Sequence, residues 1–246
     1  MVDNQIRLIK ESYPLIKEIC GDVYQALSLV FPQLPAYVTA RRAECLVATC
    51  KATQEKLKSA GITRESQRAC TLKLGLPWLE WVSLEEDSSL RDLWANLLAN
   101  EINPDKPEPR TAFLSILKDL SPLDAQILNM VYKEVKRLTD KTSHRQHVPT
   151  PLAIAFDINA ISRVLDAENF DIRVSVQNLK RCSLISDLPI MQKITPPEAK
   201  QITSVPAARV SFQNGAIVPP NPNKFKLTEL GCLFLDTCVA DAGQTT

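Results

Sequence analysis

The stretch from residue 84 to residue 128 constrains the fold most, because its apolar residues recur at helical spacing on both sides of a proline-rich turn. Asp87 or Ser88 is placed to cap a first helix, whose apolar stripe consists of Leu90, Leu93, Trp94, Leu97 and Leu98. The turn over residues 103–109 ends this helix, since proline has no N–H to donate. A second helix follows with the stripe Phe113, Leu114, Ile116, Leu117 and Leu120. The stretch predicts packed helices and contains no catalytic constellation.

The rest of the first 120 residues has the same helical character. Apolar spacing predicts helices over residues 3–30, 36–60 and 63–75. Gly61 is placed to cap the second of these helices and Gly75 to end the third, after which Pro77 would open a new helix. The connections are short enough for neighbouring helices to pack antiparallel. Residues 1–120 are therefore predicted to form an all-helical domain, a helical bundle.

The chain changes character after residue 120. Ser121-Pro122 starts a helix with proline in its first turn, and this helix extends to about Thr139. A polar break over residues 140–151 follows, and two shorter helices are predicted over residues 157–166 and 171–182. The sequence thus predicts three consecutive helices at the start of the second half.

Strand-like runs follow these helices. A short apolar run at residues 184–186 precedes a proline-rich segment over residues 187–224, and a final strand turns into a helix capped by Thr228. Three helices, a strand, an irregular wing and a second strand form the order of a winged helix-turn-helix. We therefore predict a mainly α protein, with an N-terminal helical bundle (1–120) followed by a C-terminal winged-helix-like α+β domain (121–246).

Composition excludes several classes of function. The net charge is +1, so nothing in the overall charge announces nucleic acid. The six glycines form neither GxxxxGK[ST] nor GxGxxG, which argues against the common nucleotide-binding loops. The seven cysteines are scattered without a CxxC pair, and the N-terminal residues lack the apolar core of a secretory signal. We expect a cytoplasmic protein without a cofactor, a metal site or membrane insertion.

The outward face of the helix over residues 171–182 is the sharpest candidate site. Its spacing directs Val174, Val176 and Leu179 toward the core, with Leu184 beyond them. The outward residues of this helix are Arg173, Gln177, Lys180 and Arg181. Together with Arg163 of the preceding helix and Lys193 nearby, they would contact DNA if the helix enters a major groove. The competing interpretations are an ordinary solvated face and a protein-binding module, and the neutral net charge argues against strong DNA affinity.

Other polar residues carry weaker hypotheses. His144 and His147 are best explained as exposed loop histidines, because no nearby Cys, Asp or Glu completes a metal ligand set. A cluster of carboxylates, consisting of Glu80, Glu85, Glu86, Asp87 and Asp92, would be able to pair for catalysis. The better explanation is that Glu85, Glu86 and Asp87 lie at a helix start, where they complement the helix dipole. Asn96 and Asn100 lie four apart on one helix face, where either ligand recognition or the capping of neighbours fits.

The aromatic and thiol candidates have similar alternatives. Trp78, Trp81 and Trp94 would line a pocket or a partner surface, but their apolar neighbours favour core packing. Cys182 lies on a basic helix, which would lower its pKa, but no histidine is near in sequence to complete a nucleophilic site. No catalytic residue is assigned.

Three segments resemble the bacterial abortive-infection alpha family. They are E-E-D-x-x-L-R-x-L-W-A-N-L-L-A-N with the helix pair that follows it, the run from Ala40 to Ile62, and the C-terminal K-L-T-E-L-G-C-L-F-L-D-T-C from Lys226 to Cys238. The resemblance implies a bacterial cytoplasmic protein of phage defence, in which an infected cell stops growing or dies before phage matures. It supplies no catalytic residues, and the proline-rich segment is the part that matches poorly.

Two functions of different classes follow, with a third behind them. The first is a non-enzymatic defence factor that contacts a phage or host protein through its helical N-terminal region. The second is a winged-helix DNA-binding regulator of a defence or host locus. The third, an enzyme acting on nucleotides or RNA, lacks a visible phosphate loop, metal cluster or general base. A homodimer is compatible with exposed apolar residues on the helical half.

Overall fold

The computed structural model describes residues 36–142, 154–188 and 223–240, with side chains described from residue 41 to residue 140 in the first range. The helix predicted over residues 3–30, the two histidines and most of the predicted wing lie outside these ranges. The helices are α1 (Ala36–Ser59), α2 (Leu72–Val82), α3 (Ser88–Ile102), α4 (Ala112–Asp119), α5 (Pro122–Thr142), α6 (Ile158–Leu165), α7 (Asn169–Arg181) and α8 (Glu229–Phe234). A 3₁₀ turn (Arg64–Ser66) precedes α2, and a π-helical turn (Leu235–Val239) follows α8. The strands are β1 (Ala155–Asp157), β2 (Ile185–Asp187) and β3 (Lys224–Leu227). The predicted mainly α class is confirmed.

Helix α3 lies at the centre of the molecule. The Asp87 carboxylate caps it by accepting hydrogen bonds from the N–H groups of Ser89 and Leu90, at 2.9 and 3.0 Å. All residues from Leu93 to Ile102 are buried, so this helix is covered on every side. It packs against α1 and against the π-helical turn. The predicted stripe and cap are both confirmed, but the burial of the polar side of α3 was not predicted.

Helix α2 differs from its prediction. We expected one helix to end at Gly75 and another to open at Pro77, but α2 runs through both positions. A proline inside a helix removes one backbone hydrogen bond and costs roughly 3 kcal/mol. The helix continues because Leu74, Trp78 and Leu79 are buried on one face, at 1% exposure or less. Tertiary packing outweighs the local preference here.

Gly61 caps the C-terminal end of α1, as the sequence predicted. Gly61 adopts a left-handed φ of 72°, the N–H of Gly61 donates to the carbonyl of Lys58, and the N–H of Ile62 donates to the carbonyl of Leu57. This pair of bonds is a Schellman motif, which glycine favours because it has no Cβ.

The three strands form one antiparallel sheet in the order β1-β3-β2. Phe156 of β1 lies opposite Phe225 of β3, and their rings stack with centroids 5.5 Å apart. In the second pair, Ile185 of β2 lies opposite Leu227 of β3. The sequence predicted β2 and β3 but missed β1, because three residues are too few to establish an alternating pattern.

One hydrophobic cluster contains residues from both halves of the chain. Phe113 of α4 meets Phe234 of α8 edge to face, with ring centroids 5.4 Å apart. The π-helical turn packs on α3, and α5 packs on α7. The predicted domain boundary at residue 120 stays a prediction, with extensive apolar contact across it.

Candidate functional site

Helix α7, whose outward face was predicted as the candidate site, follows α6 through a tight turn. Asp157 caps α6 by accepting from the N–H groups of Asn159 and Ala160, and Asp166 ends it with a left-handed φ of 50°. The Ser162 hydroxyl donates to the carbonyl of Ala167 at 2.6 Å, which closes the turn. These bonds orient α7 relative to α6.

Helix α7 buries one face and presents the other to solvent. Ile172, Val176 and Leu179 are at most 1% exposed. Val174 is 54% exposed, so its predicted core position is wrong. The reason is helical spacing: Val174 is four residues from the exposed Phe170, and residues four apart share a face.

The residues predicted to contact DNA lie on α6 and α7 as expected, but most of their cations already bind other parts of the protein. The guanidinium of Arg173 donates to Oδ1 of Asn223 at 2.7 Å, next to β3. Lys180 is half-buried and forms an ion pair with Asp187 of β2.

The remaining predicted residues divide between paired and exposed ones. Arg181 pairs with Asp119 of α4 at 3.1 Å. Arg163 donates to the carbonyl of Asn159 in its own helix at 3.1 Å. Gln177 is exposed on the outward face of α7. The outward face thus holds the predicted residues, with less unengaged positive charge than the sequence suggested.

A polar cluster that the sequence did not reveal attaches α7 to the corner between α4 and α5. The Asn178 amide donates to the carbonyl of Asp119 at 2.9 Å and to the carboxylate of Asp124 at 2.7 Å. Asp124 is 1% exposed and also accepts from the N–H of Ser121 at 2.7 Å. Only the pairing of Ser and Asp three residues apart, typical of a helix start, was visible in sequence.

Exposed apolar side chains mark the same two helices. Phe170 is 71% and Val164 is 69% exposed, and with Val174 they account for three of the six large apolar side chains exposed in the described part of the chain. Between residues 158 and 181 the chain carries four cations and three carboxylates. The surface is therefore apolar and nearly balanced in charge.

An open groove of about 470 Å³ lies beside this surface, between α5, β1 and α6. Met130, Phe156 and Val164 contribute apolar lining, while Lys133 and Asp157 contribute charges of opposite sign. Arg137 at the groove pairs with Glu134 of its own helix. The balanced charge and the apolar lining of the groove are more typical of a protein-binding site than of an anion-binding site.

The two asparagines of α3 bind the end of the chain. The Asn96 amide donates to the carbonyl of Cys238 at 3.0 Å, and the Asn100 amide donates to that of Thr237 at 2.7 Å. Both asparagines are buried, and their partners belong to the π-helical turn, whose irregular backbone leaves carbonyls in need of donors. Of the two alternatives for Asn96 and Asn100, the capping of neighbours agrees with these contacts, and the neighbours are distant in sequence.

A second polar contact, which is partly buried and was also not predicted from the sequence, fixes the C-terminal end of α3. Arg68 donates to the carbonyl of Glu101 at 2.6 and 2.8 Å and to that of Lys106 at 3.1 Å. A cation at a helix C-terminus complements the helix dipole. The side chain of Glu101 in turn accepts from the hydroxyl of Thr71 at 2.8 Å.

The predicted carboxylate cluster is dispersed among structural contacts. Glu86 pairs with Arg41 at 3.1 Å, Asp92 pairs with Lys56 at 2.8 Å, and Asp87 caps α3. The hydrogen bond from the Ser89 hydroxyl is the main cause that lowers the pKa of Asp87, whereas burial raises the pKa of Glu85. The Asp87 cap agrees with the helix-start explanation, whereas Glu86 and Asp92 form ion pairs with α1.

The tryptophans and Cys182 behave as packing residues. Trp78 and Trp94 are at most 1% exposed, and the Trp78 indole N–H donates to the carbonyl of Trp94 at 2.9 Å. Trp81 is half-buried beneath the Lys118 ammonium, 4.1 Å from its ring centroid. Burial raises the pKa of the Cys182 thiol, so the lowered pKa expected from its basic helix is wrong: desolvation outweighs the attraction of Arg181.

Within residues 36–142, 154–188 and 223–240, no cluster of three or more His, Cys, Asp or Glu is arranged to hold a metal. Across the same ranges, no helix has both the length and the apolar character to cross a bilayer.

Comparisons with known proteins give one match. A family model described as abortive infection alpha matches residues 46–238, which is most of the chain and includes α3, α7 and β3. Comparison with curated proteins and with solved structures found no significant match. The matched segment contains the central helix, its asparagines and the whole α6–α7 surface, and the family name points to a role in defence by abortive infection. The chain belongs to the abortive infection alpha family.

Proposed function

We propose that the protein is a non-enzymatic phage-defence factor that acts by contacting another protein through the outward face of α7. One observation carries the proposal: Phe170 and Val174 are exposed side by side on that face. An exposed aromatic residue supplies much contact area when a partner covers it, and contiguous apolar exposure is a feature of interaction sites.

The arrangement around α7 supports a winged helix-turn-helix. Helices α6 and α7 lie in sequence between β1 and β2, and β3 occupies the middle of the sheet. The segment between β2 and β3 is where such a fold places its wing. This fold serves both DNA-binding and protein-binding proteins, so the chemistry of the α7 face has to decide between them.

The charges favour a protein partner. Lys180 is half-buried in its ion pair with Asp187, and Arg181 is shared with Asp119, so the end of α7 leaves at most one accessible cation for a phosphate. Glu168 and Asp171 occupy the start of α7, where an incoming phosphate would meet negative charge. DNA-binding surfaces need several unengaged cations, because the phosphate backbone supplies most of the affinity.

The proposal moves the contact surface away from the helical N-terminal region that the sequence suggested. That region also has exposed apolar residues, Leu72 and Leu76, spaced four apart on α2. Substituting either pair, Leu72 and Leu76 or Phe170 and Val174, removes a similar amount of exposed apolar surface. A double variant at one pair is therefore a control for a double variant at the other.

The test compares phage plating on cells that express the wild type, F170S/V174S or L72S/L76S, across a panel of phages. We expect protection by the wild type and by the α2 variant, and its loss in the α7 variant. Equal expression and unchanged unfolding midpoints would be established first. Protection retained by F170S/V174S and lost in L72S/L76S would return the contact to the N-terminal region.

DNA binding is the second candidate, supported by the outward position of Arg173 and Gln177 on the second helix of the α6–α7 pair. Its test is the affinity for duplex DNA at several salt concentrations, with R173A/Q177A as the variant. Each phosphate contact should add a slope of about −0.9 to the plot of log affinity against log salt. A steep slope that decreases in R173A/Q177A would establish this candidate instead.

A further inference from the structure

We propose that the outward face of α7 binds a second copy of this chain, as an antiparallel α7–α7 pair about a two-fold axis. This inference rests on the proposed function, and it names a second copy of the chain as a protein that the α7 face contacts. The argument uses the apolar stripe, the distribution of charge along α7 and the position of Arg173.

The apolar part of the face suits a self-complementary contact. Phe170, Val174 and Gln177 lie on one stripe, at spacings of four and three residues. In an antiparallel pair centred on Val174, each Phe170 lies against the second copy near Gln177, and the two Val174 side chains meet at the axis. Such an isologous contact uses the same patch twice, so a short stripe is doubled in area.

Charge is segregated along the same helix. Its start carries Glu168 and Asp171, and its last turn carries Lys180 and Arg181. Antiparallel packing places the acidic start of each helix beside the basic end of the other, whereas parallel packing would place like charges together. Lys180 is held in its ion pair with Asp187, whereas Arg181 keeps 60% of its side chain exposed while paired with Asp119, so Arg181 is the cation accessible to a carboxylate of the second copy. The charge distribution therefore selects one orientation.

The remaining cation of the face does not oppose the contact. Arg173 is next to Val174, where two copies would bring two guanidinium groups close to the axis. Its guanidinium is drawn toward Asn223 at 2.7 Å, beside β3 and away from the stripe. The centre of the stripe is therefore left to apolar side chains.

The test measures the mass of the full chain by sedimentation from 1 to 100 µM, for the wild type and for F170K, which places a cation beside the basic end of the second copy. We expect the wild type to reach twice the 27.4 kDa monomer mass and F170K to remain a monomer with an unchanged unfolding midpoint. Phe170 is highly exposed, so the substitution leaves the core intact. A wild type that is monomeric throughout, or that gains mass only when duplex DNA is added, would overturn the inference.

Cysteine crosslinking tests the orientation. V174C should crosslink between copies with a short bifunctional maleimide well above the wild-type background, and N159C, at an exposed position of α6, should not. A dimer that persists in F170K, with V174C no better than N159C, would assign the contact to another surface. A failure of the dimer is distinguishable from a failure of the proposed function. If the wild type is monomeric but its protection is still lost in F170S/V174S, only the dimer is contradicted.

Discussion

Helix α8 packs closely at Gly231 against Leu184, the residue before β2, and G231A is predicted to destabilise the protein markedly. A Cβ added at this position would lie 1.9 Å from the carbonyl oxygen of Leu184. Atoms that are not bonded cannot approach so closely, so α8 and the chain before β2 would have to separate by roughly 1 Å or more. The same carbonyl accepts a hydrogen bond from the N–H of Thr228 at 3.1 Å, while the single hydroxyl hydrogen of Thr228 has a closer acceptor in the carbonyl of Ser183, at 2.6 Å.

The magnitude follows from three contributions. Overpacking costs about 2 kcal/mol when the backbone has to move. Loosening the bond from the Thr228 N–H costs about 1 kcal/mol. Alanine in place of glycine returns about 1 kcal/mol of helix propensity. The net loss is about 2 kcal/mol, which corresponds to a fall in Tm of about 4–8 °C for a domain of this size.

Urea unfolding followed by circular dichroism measures this loss, with E229A as the matched control. Glu229 is exposed in the first turn of the same helix, where its removal should cost about 0.5 kcal/mol. If G231A were as stable as E229A, or more stable than the wild type, the close packing of α8 against the sheet would be refuted.

Substitutions at three other positions test the contacts that hold the helices together. D87A should lower stability by about 1 kcal/mol in urea unfolding, because α3 loses its cap. The pKa of Asp87 is lowered in the folded state, so its carboxylate stabilises the protein above the unfolded pKa of about 4 and stops doing so as pH falls through the folded value; D87N should therefore lose less stability between pH 6 and pH 3 than the wild type. N100A should cost about 2 kcal/mol in the same assay, since it leaves the partly buried carbonyl of Thr237 without the donor from the buried Asn100. N178A should cost a similar amount by uncoupling α7 from Asp124, and an unchanged midpoint in either variant would contradict the corresponding contact.

The sequence predicted elements whose signals are local. The Asp87 cap, the Gly61 terminus and the proline at the first position of α5 all depend on neighbouring residues and appear as expected. Contacts between distant residues were not predictable. Asn96 lies 142 residues from Cys238, and nothing in the sequence indicates that its amide binds that carbonyl.

The candidate site divides in the same way. The sequence placed Arg173, Gln177 and Arg181 on one helix face, because helical spacing is enough for that. It did not reveal that Asp119 and Asn223 engage the cations, since those contacts depend on how α7 packs. The exposure of Val174 was mispredicted for a related reason: an apolar residue at an interaction surface has the same sequence pattern as a core residue.

An infection time course tests the central claim most directly, with cells carrying the wild type or F170S/V174S at low and high phage-to-cell ratios. Abortive infection through the α7 face predicts that wild-type cultures survive at the low ratio and stop growing at the high ratio, releasing few phage. Cultures with F170S/V174S should lyse at both ratios and release phage as cells without the gene do. Equal protection by the two proteins would contradict the claim that the α7 face carries the defence function.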